Sequence, residues 1–147
     1  MKPGIPVMLM LVGAATLACG STDVCACEFG GATVIVYGTV SSPEGEGVGN
    51  ATVRVESHPG EGCSDLPASG MSDSRSGADF GGAGLYRVDV IAFEEGTQVC
   101  LTVRATPPLD ATGLGESAPV EIVADFAFSG EPDSVEVPLT LSRSETD

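Results

Sequence analysis

The sequence predicts an all-β domain, an antiparallel sandwich of short strands. Three observations lead there. Apolar residues after position 30 recur at every second place, with no helical period. The runs are separated by turn residues from a chain that holds 20 Gly and 10 Pro. The connections are too short for the crossover helices of a parallel sheet. A length of 147 residues suits one domain and hardly two.

The elements follow in chain order. Residues 1 to 18 carry one Lys, then an apolar run from Ile5 to Leu17 that is too short to span a bilayer, then small residues. They read as a cleaved export signal. The plainer alternative, a buried N-terminal helix, suits the Gly and Pro residues and the small-residue ending less well. That ending, Thr16-Leu17-Ala18-Cys19, resembles the lipobox of bacterial lipoproteins. The resemblance implies that the Cys19 thiol is diacylated, that the peptide before it is removed, and that the new amino group is often acylated too. Lipoproteins usually place Leu three residues before the Cys, where this chain has Thr16, so secretion without an anchor stays open. Gly20, rather than Asp, follows the Cys, which by the same resemblance implies the outer membrane. Residues 19 to 31 are small and polar and suit a lipidated tether.

A first strand is expected over 32 to 40, where Val34, Val36, Gly38 and Val40 alternate with Ile35, Tyr37 and Thr39. Gly38 inside it signals a bulge or the close approach of another backbone. A turn follows, with Gly45 and Gly47 able to supply positive φ. In the second strand Ala51, Val53 and Val55 alternate with Thr52, Arg54 and Glu56, giving one dry face and one wet one. Residues 57 to 84 are mostly Gly, Ser, Asp and Pro, a long irregular excursion that needs pinning. Strands resume at 86 to 90, 98 to 106, 120 to 128 and 135 to 141. Tyr86 shares parity with Val88 and Val90, so its ring is expected to cap the core with the hydroxyl at the rim. Pro138 removes a ladder donor, so the last strand is expected at an edge or poorly paired beyond that point. The sandwich thus runs from 32 to 141, and residues 142 to 147 are expected as a flexible tail.

Cysteine usage agrees with export. With Cys19 taken by lipid, Cys25, Cys27, Cys63 and Cys100 remain, an even number able to pair in an oxidising compartment. A zinc site is disfavoured, because Cys25-Ala26-Cys27 has a single intervening residue and no second close pair follows. Cys100 shares parity with Thr102 and Arg104 and should face outward, where Cys63 in the long excursion can reach it. A Cys63–Cys100 bridge would staple the excursion to the sheet. The competing connectivities join Cys63 or Cys100 to Cys25 or Cys27.

Charge sets the partners. Every one of the 21 acids lies after position 20 and the only Lys is Lys2, so the processed chain carries five Arg and a net charge of −16. Such a surface neutralises no phosphates and repels anionic headgroups, which excludes nucleic acid and leaves membrane attachment to the lipid. Each buried methylene contributes about 0.8 kcal/mol, so two or three acyl chains hold firmly.

Two segments carry a wider resemblance. The stretch Val36-Tyr37-Gly38-Thr39-Val40, its Gly-containing turn and Asn50-Ala51-Thr52-Val53-Arg54-Val55 resemble the opening of carboxypeptidase regulatory-like domains. Gly84-Leu85-Tyr86-Arg87-Val88 matches their later G-x-Y strand start, and residues 98 to 105 lie where their next strand belongs. The resemblance covers residues 33 to 106 and implies a prealbumin-like Greek-key sandwich of about seven strands. The loop carrying Cys63 is enlarged relative to that family.

Function is less legible. The only His, His58, stands beside Pro59 and Gly60 at the exit of a strand and reads as a solvated loop residue. No G-x-S-x-G, H-E-x-x-H or P-loop pattern occurs. Intradiol dioxygenases and hydroxyisourate hydrolases, sandwiches that resemble this fold, need more than one His. The expectation is therefore a chain that is not an enzyme and has no cofactor. Asp73 and Asp79 could offer oxygens to calcium, but Arg75 and Gly77 stand where further ligands are wanted, so a solvated acidic loop is favoured. With no Trp, and only Tyr37 and Tyr86, sugar stacking is weakly supported. Asn50-Ala51-Thr52 matches a glycosylation sequon by pattern alone. The reading is a non-catalytic envelope lipoprotein whose sandwich is a structural or interaction module. Its partner is an unknown envelope protein or ligand, and the alternative is a small-ligand or calcium-binding protein.

Overall fold

The computed structural model of the chain describes residues 32–63, 67–92, 98–125 and 132–144. Within them the chain forms nine strands: β1 (Ala32–Ser41), β2 (Thr52–Pro59), β3 (Gly70–Arg75), β4 (Leu85–Ala92), β5 (Gln98–Thr106), β6 (Leu114–Ser117), β7 (Val120–Asp125), β8 (Asp133–Glu136) and β9 (Leu139–Arg143). A single 3-10 turn, Ala78–Phe80, lies between β3 and β4. The strands make two sheets. One has the order β4-β1-β9-β6, with β8 also on β1, and the other has the order β3-β2-β5-β7. The fold is an all-β sandwich, as the period-two pattern predicts.

The inner faces come from that alternation. Val34, Val36 and Val40 of β1 face Val53, Val55, Leu101 and Val103 across the core, joined by Val88, Val90, Leu139 and Leu141, all buried. Gly38 occupies the inward position between Val36 and Val40. A Cβ there would stand 2.4 Å from the Val137 carbonyl oxygen and 3.2 Å from the Tyr86 ring, so the close backbone approach expected for Gly38 is Val137. Val137 N donates to the Tyr37 carbonyl at 2.8 Å. The Tyr86 hydroxyl donates to the Val137 carbonyl at 2.5 Å.

Several expectations need correction. Tyr86 does pack its ring inward, but its hydroxyl is buried rather than at the rim, because the Val137 carbonyl gives it a partner inside the sandwich. The excursion over 57 to 84 is not wholly irregular. β3 pairs there with β2 from Thr52↔Arg75 to Ser57↔Gly70. Gly45 has φ of 88°, but Gly47 is required for space, since a Cβ would lie 2.3 Å from the Ala83 carbonyl oxygen. Pairing is not purely antiparallel, because β8 and β9 run parallel to β1. The reason is connectivity, since β7 belongs to the other sheet and the chain returns beside β1 in the same direction. Pro138 falls in the gap between β8 and β9 and interrupts the strand without ending it. Beyond it β9 lies between β1 and β6 and is not an edge. The strand also passes 141, for Arg143 pairs with Leu114 and reaches Glu44 at 2.6 Å, so Ser142 and Arg143 belong to the sheet and not to a tail. β7 ends at Asp125; residues 126 to 128 of the expected strand lie outside the described residues.

Candidate functional site

Cys63 and Cys100 form a disulfide with Cα atoms 5.1 Å apart, closing a separation of 37 residues. Cys100 has the outward parity expected of it, yet it is only 2% exposed, because the segment bearing Cys63 covers the sheet at that point. Cys19, Cys25 and Cys27 lie outside the described residues, as do the signal and the tether.

His58 is not a solvated loop residue. β2 continues to Pro59, which places His58 directly opposite Cys100 on the outer face. There it is 9% exposed. The placement on a strand was legible, since His58 shares parity with Arg54 and Glu56, but that parity points to solvent, so its burial is a tertiary outcome.

The two candidate calcium ligands are apart in role. Asp73 lies on β3 and accepts from Arg54 Nε at 3.0 Å, whereas Asp79 is an exposed residue of the 3-10 turn. Among the described residues one group of three ligand-type side chains converges, Cys63, Cys100 and Glu121, and its two sulfurs are bonded to each other. A disulfide offers no thiolate to a metal.

What the structure does assemble is a polar depression of about 280 Å³ on the outer face of the β3-β2-β5-β7 sheet. The register builds it row by row. Thr52 faces Thr106, Arg54 faces Arg104 and Glu56 faces Thr102 across β2 and β5. On β3, Arg75 stands opposite Thr52 and Asp73 opposite Arg54. Glu116 of β6 closes the other side, accepting from the Thr106 hydroxyl at 3.2 Å and standing 4.0 Å from Arg104 Nη1. The central row therefore reads Asp73, Arg54, Arg104, Glu116, with the two cations innermost. Asp73 raises the Arg54 pKa above the usual guanidinium range, first through its hydrogen bond and then through its charge. Sequence parity placed both arginines outward, but only the β2–β5 register sets them side by side.

The opposite outer face differs. Tyr37 of β1 lies between Arg87 of β4 and Glu136 of β8, and Leu85, Phe80 and Ile91 are exposed on the same side. Asn50, the sequon residue, is exposed in a turn with φ of 59°.

No protein-family model and no curated protein matches the chain. Among solved structures it is similar to the dioxygenase domain of a dioxygenase carbohydrate-binding protein fusion from the cellulolytic bacterium Streptomyces sp. SirexAA-E. The identity is 12%, the TM-score 0.43, and the match covers 78% of this chain and 82% of that one. A likeness at that level supports no inference about activity, and the two-sheet sandwich stands on the chain's own geometry.

Proposed function

We propose that the chain is a non-catalytic cell-envelope lipoprotein, acylated at Cys19 and held at the outer membrane or cell surface, whose sandwich is a structural or interaction module. The observation that supports this reading is the Cys63–Cys100 disulfide. Such bonds persist in oxidising compartments and are rare where thiols are kept reduced. It joins an N-terminal segment with the order of an export signal and Cys19 at its end. Kinship with carboxypeptidase regulatory-like domains is likewise a proposal, resting on the motif residues around Gly38, Ala51 and Tyr86.

The test is fractionation. The native protein is expected in the detergent phase of an envelope extract, and Cys19→Ser in the soluble fraction. The same distribution for both would refute the anchor. A second reading, a small-ligand binder, is favoured by the polar depression on the β3-β2-β5-β7 sheet. Calcium is less supported, because Asp73 is already paired with Arg54. A melting midpoint that rises markedly in millimolar calcium would reverse that order.

A further inference from the structure

We propose that the depression over β2 and β5 binds a small hydroxylated carboxylic acid, the size of one sugar acid, with its carboxylate between Arg54 and Arg104. Like charges directly opposite each other destabilise a sheet, and Arg54↔Arg104 is such a pair. Their counter-charges lie outside the pair. Asp73 takes Arg54 through Nε, and Glu116 stands 4.0 Å from Arg104, beyond hydrogen-bonding distance. A carboxylate seated between the guanidiniums would relieve the repulsion and accept charge-assisted hydrogen bonds from both. The placement is selective. Of the five Arg in the processed chain, Arg54, Arg75 and Arg104 lie on this face, and Arg75 makes no ion pair among the described residues.

The surroundings narrow the ligand. Thr hydroxyls flank the arginine row on both sides, from Thr52 and Thr106 to Thr102, and Glu56 adds an acceptor. Alternating donors and acceptors beside a guanidinium pair suit a molecule with hydroxyls next to its carboxylate. At about 280 Å³ the depression falls just below the roughly 300–1,000 Å³ of sites for drug-sized ligands, a volume that suits one ring. Charge argues the same way. A polyanion would meet the repulsion of a protein at −16 and of Glu56 and Glu116 in the lining, whereas a single carboxylate seated between the guanidiniums would lie nearest the two cations.

This assignment does not depend on the lipid anchor, so its failure leaves the envelope reading intact. The test is a heteronuclear shift titration of the processed protein with galacturonate, and in parallel with galactose. Saturable shifts are expected around Arg54 and Arg104 with a dissociation constant in the millimolar range, and galactose should bind at least tenfold more weakly. Arg104→Gln should weaken galacturonate binding by about tenfold or more, consistent with the loss of a charged hydrogen bond. Arg104→Lys should fall between the two, because it keeps the charge and loses the fork. Arg87→Gln, which alters an exposed ion pair on the other sheet, should bind as the native protein does. Absence of saturable shifts, equal affinity for galactose, or undiminished binding by a folded Arg104→Gln protein would each overturn the proposal.

Discussion

Gly38→Ala tests the packing of β1 against the junction between β8 and β9 most directly. The new Cβ would lie 2.4 Å from the Val137 oxygen and 2.9 Å from its carbonyl carbon, whereas carbon–oxygen contacts ordinarily begin near ~3.3 Å. The obstructing atoms are backbone, so no rotamer change relieves them, and the junction between β8 and β9 must retreat by about an ångström. That retreat stretches two bonds at once: Val137 N to the Tyr37 carbonyl, and the Tyr86 hydroxyl to the Val137 carbonyl. Overpacking typically costs about 1–3 kcal/mol, and each compromised hydrogen bond about 1 kcal/mol more. Working against this, Ala is better than Gly inside a strand by roughly 0.5–1 kcal/mol. The net expectation is a loss of about 3 kcal/mol, which in a domain of this size is a fall in melting midpoint of roughly 12 °C or more. Urea unfolding of the disulfide-intact protein measures it, with an unchanged slope expected. A cycle with Tyr86→Phe sharpens the result. That substitution alone should cost about 1–2 kcal/mol, and clearly less in the Gly38→Ala background, where its bond is already weakened. A loss below about 1 kcal/mol for Gly38→Ala, or full additivity in the cycle, would refute the reasoning.

Other outcomes follow from the same structure. Ser76 is buried, accepting from Ala51 N at 3.0 Å and donating to the Val48 carbonyl at 2.7 Å; Ser76→Ala should cost about 2 kcal/mol in urea unfolding by leaving both groups without a partner. Removing the staple with paired Cys63→Ala and Cys100→Ala substitutions should cost about 4 kcal/mol from loop closure in urea unfolding, while an unchanged melting midpoint would argue against the pin. Burial raises the Tyr86 phenol pKa well above its ordinary 10.0, so the neutral form is favoured in the folded state. The stability this contributes is complete below pH 10.0 and declines as pH rises beyond it, since the unfolded chain ionises first. In a Tyr37→Phe background, phenolate absorbance should therefore appear only together with unfolding; its appearance in the folded protein would contradict the buried hydroxyl.

Much of the fold was legible because alternation is a local signal. The β5 limits, Gln98–Thr106, coincide with the expected strand, and the inward valines of β1 and β2 follow from their own spacing. β3 was missed because Gly70–Arg75 has no apolar face to alternate; it pairs through its backbone with β2 and stays mostly outside the core. β6, with only Leu114–Ser117, is too short to show a period. The Cys63–Cys100 pairing was reachable from parity, since an outward sulfur on a strand needs a cover from the neighbouring loop.

By itself, then, the sequence determined the period, the facing of each long strand, and the export-like order of its first nineteen residues. Tertiary structure decided what those faces meet. Parity says that Arg54 and Arg104 point outward, but a strand carries no record of its register, and a slip by two residues would have set Arg54 against Thr102 or Thr106 with every valine still inside. Cys100 likewise has outward parity and is buried beneath its disulfide to Cys63, 37 residues away in sequence. The parallel return of β8 and β9 beside β1 comes from the order in which the chain crosses between sheets, and no local pattern encodes it. Alternation depends on neighbours two residues apart, whereas register, cover and crossing depend on residues brought together only when the two sheets close on a common core.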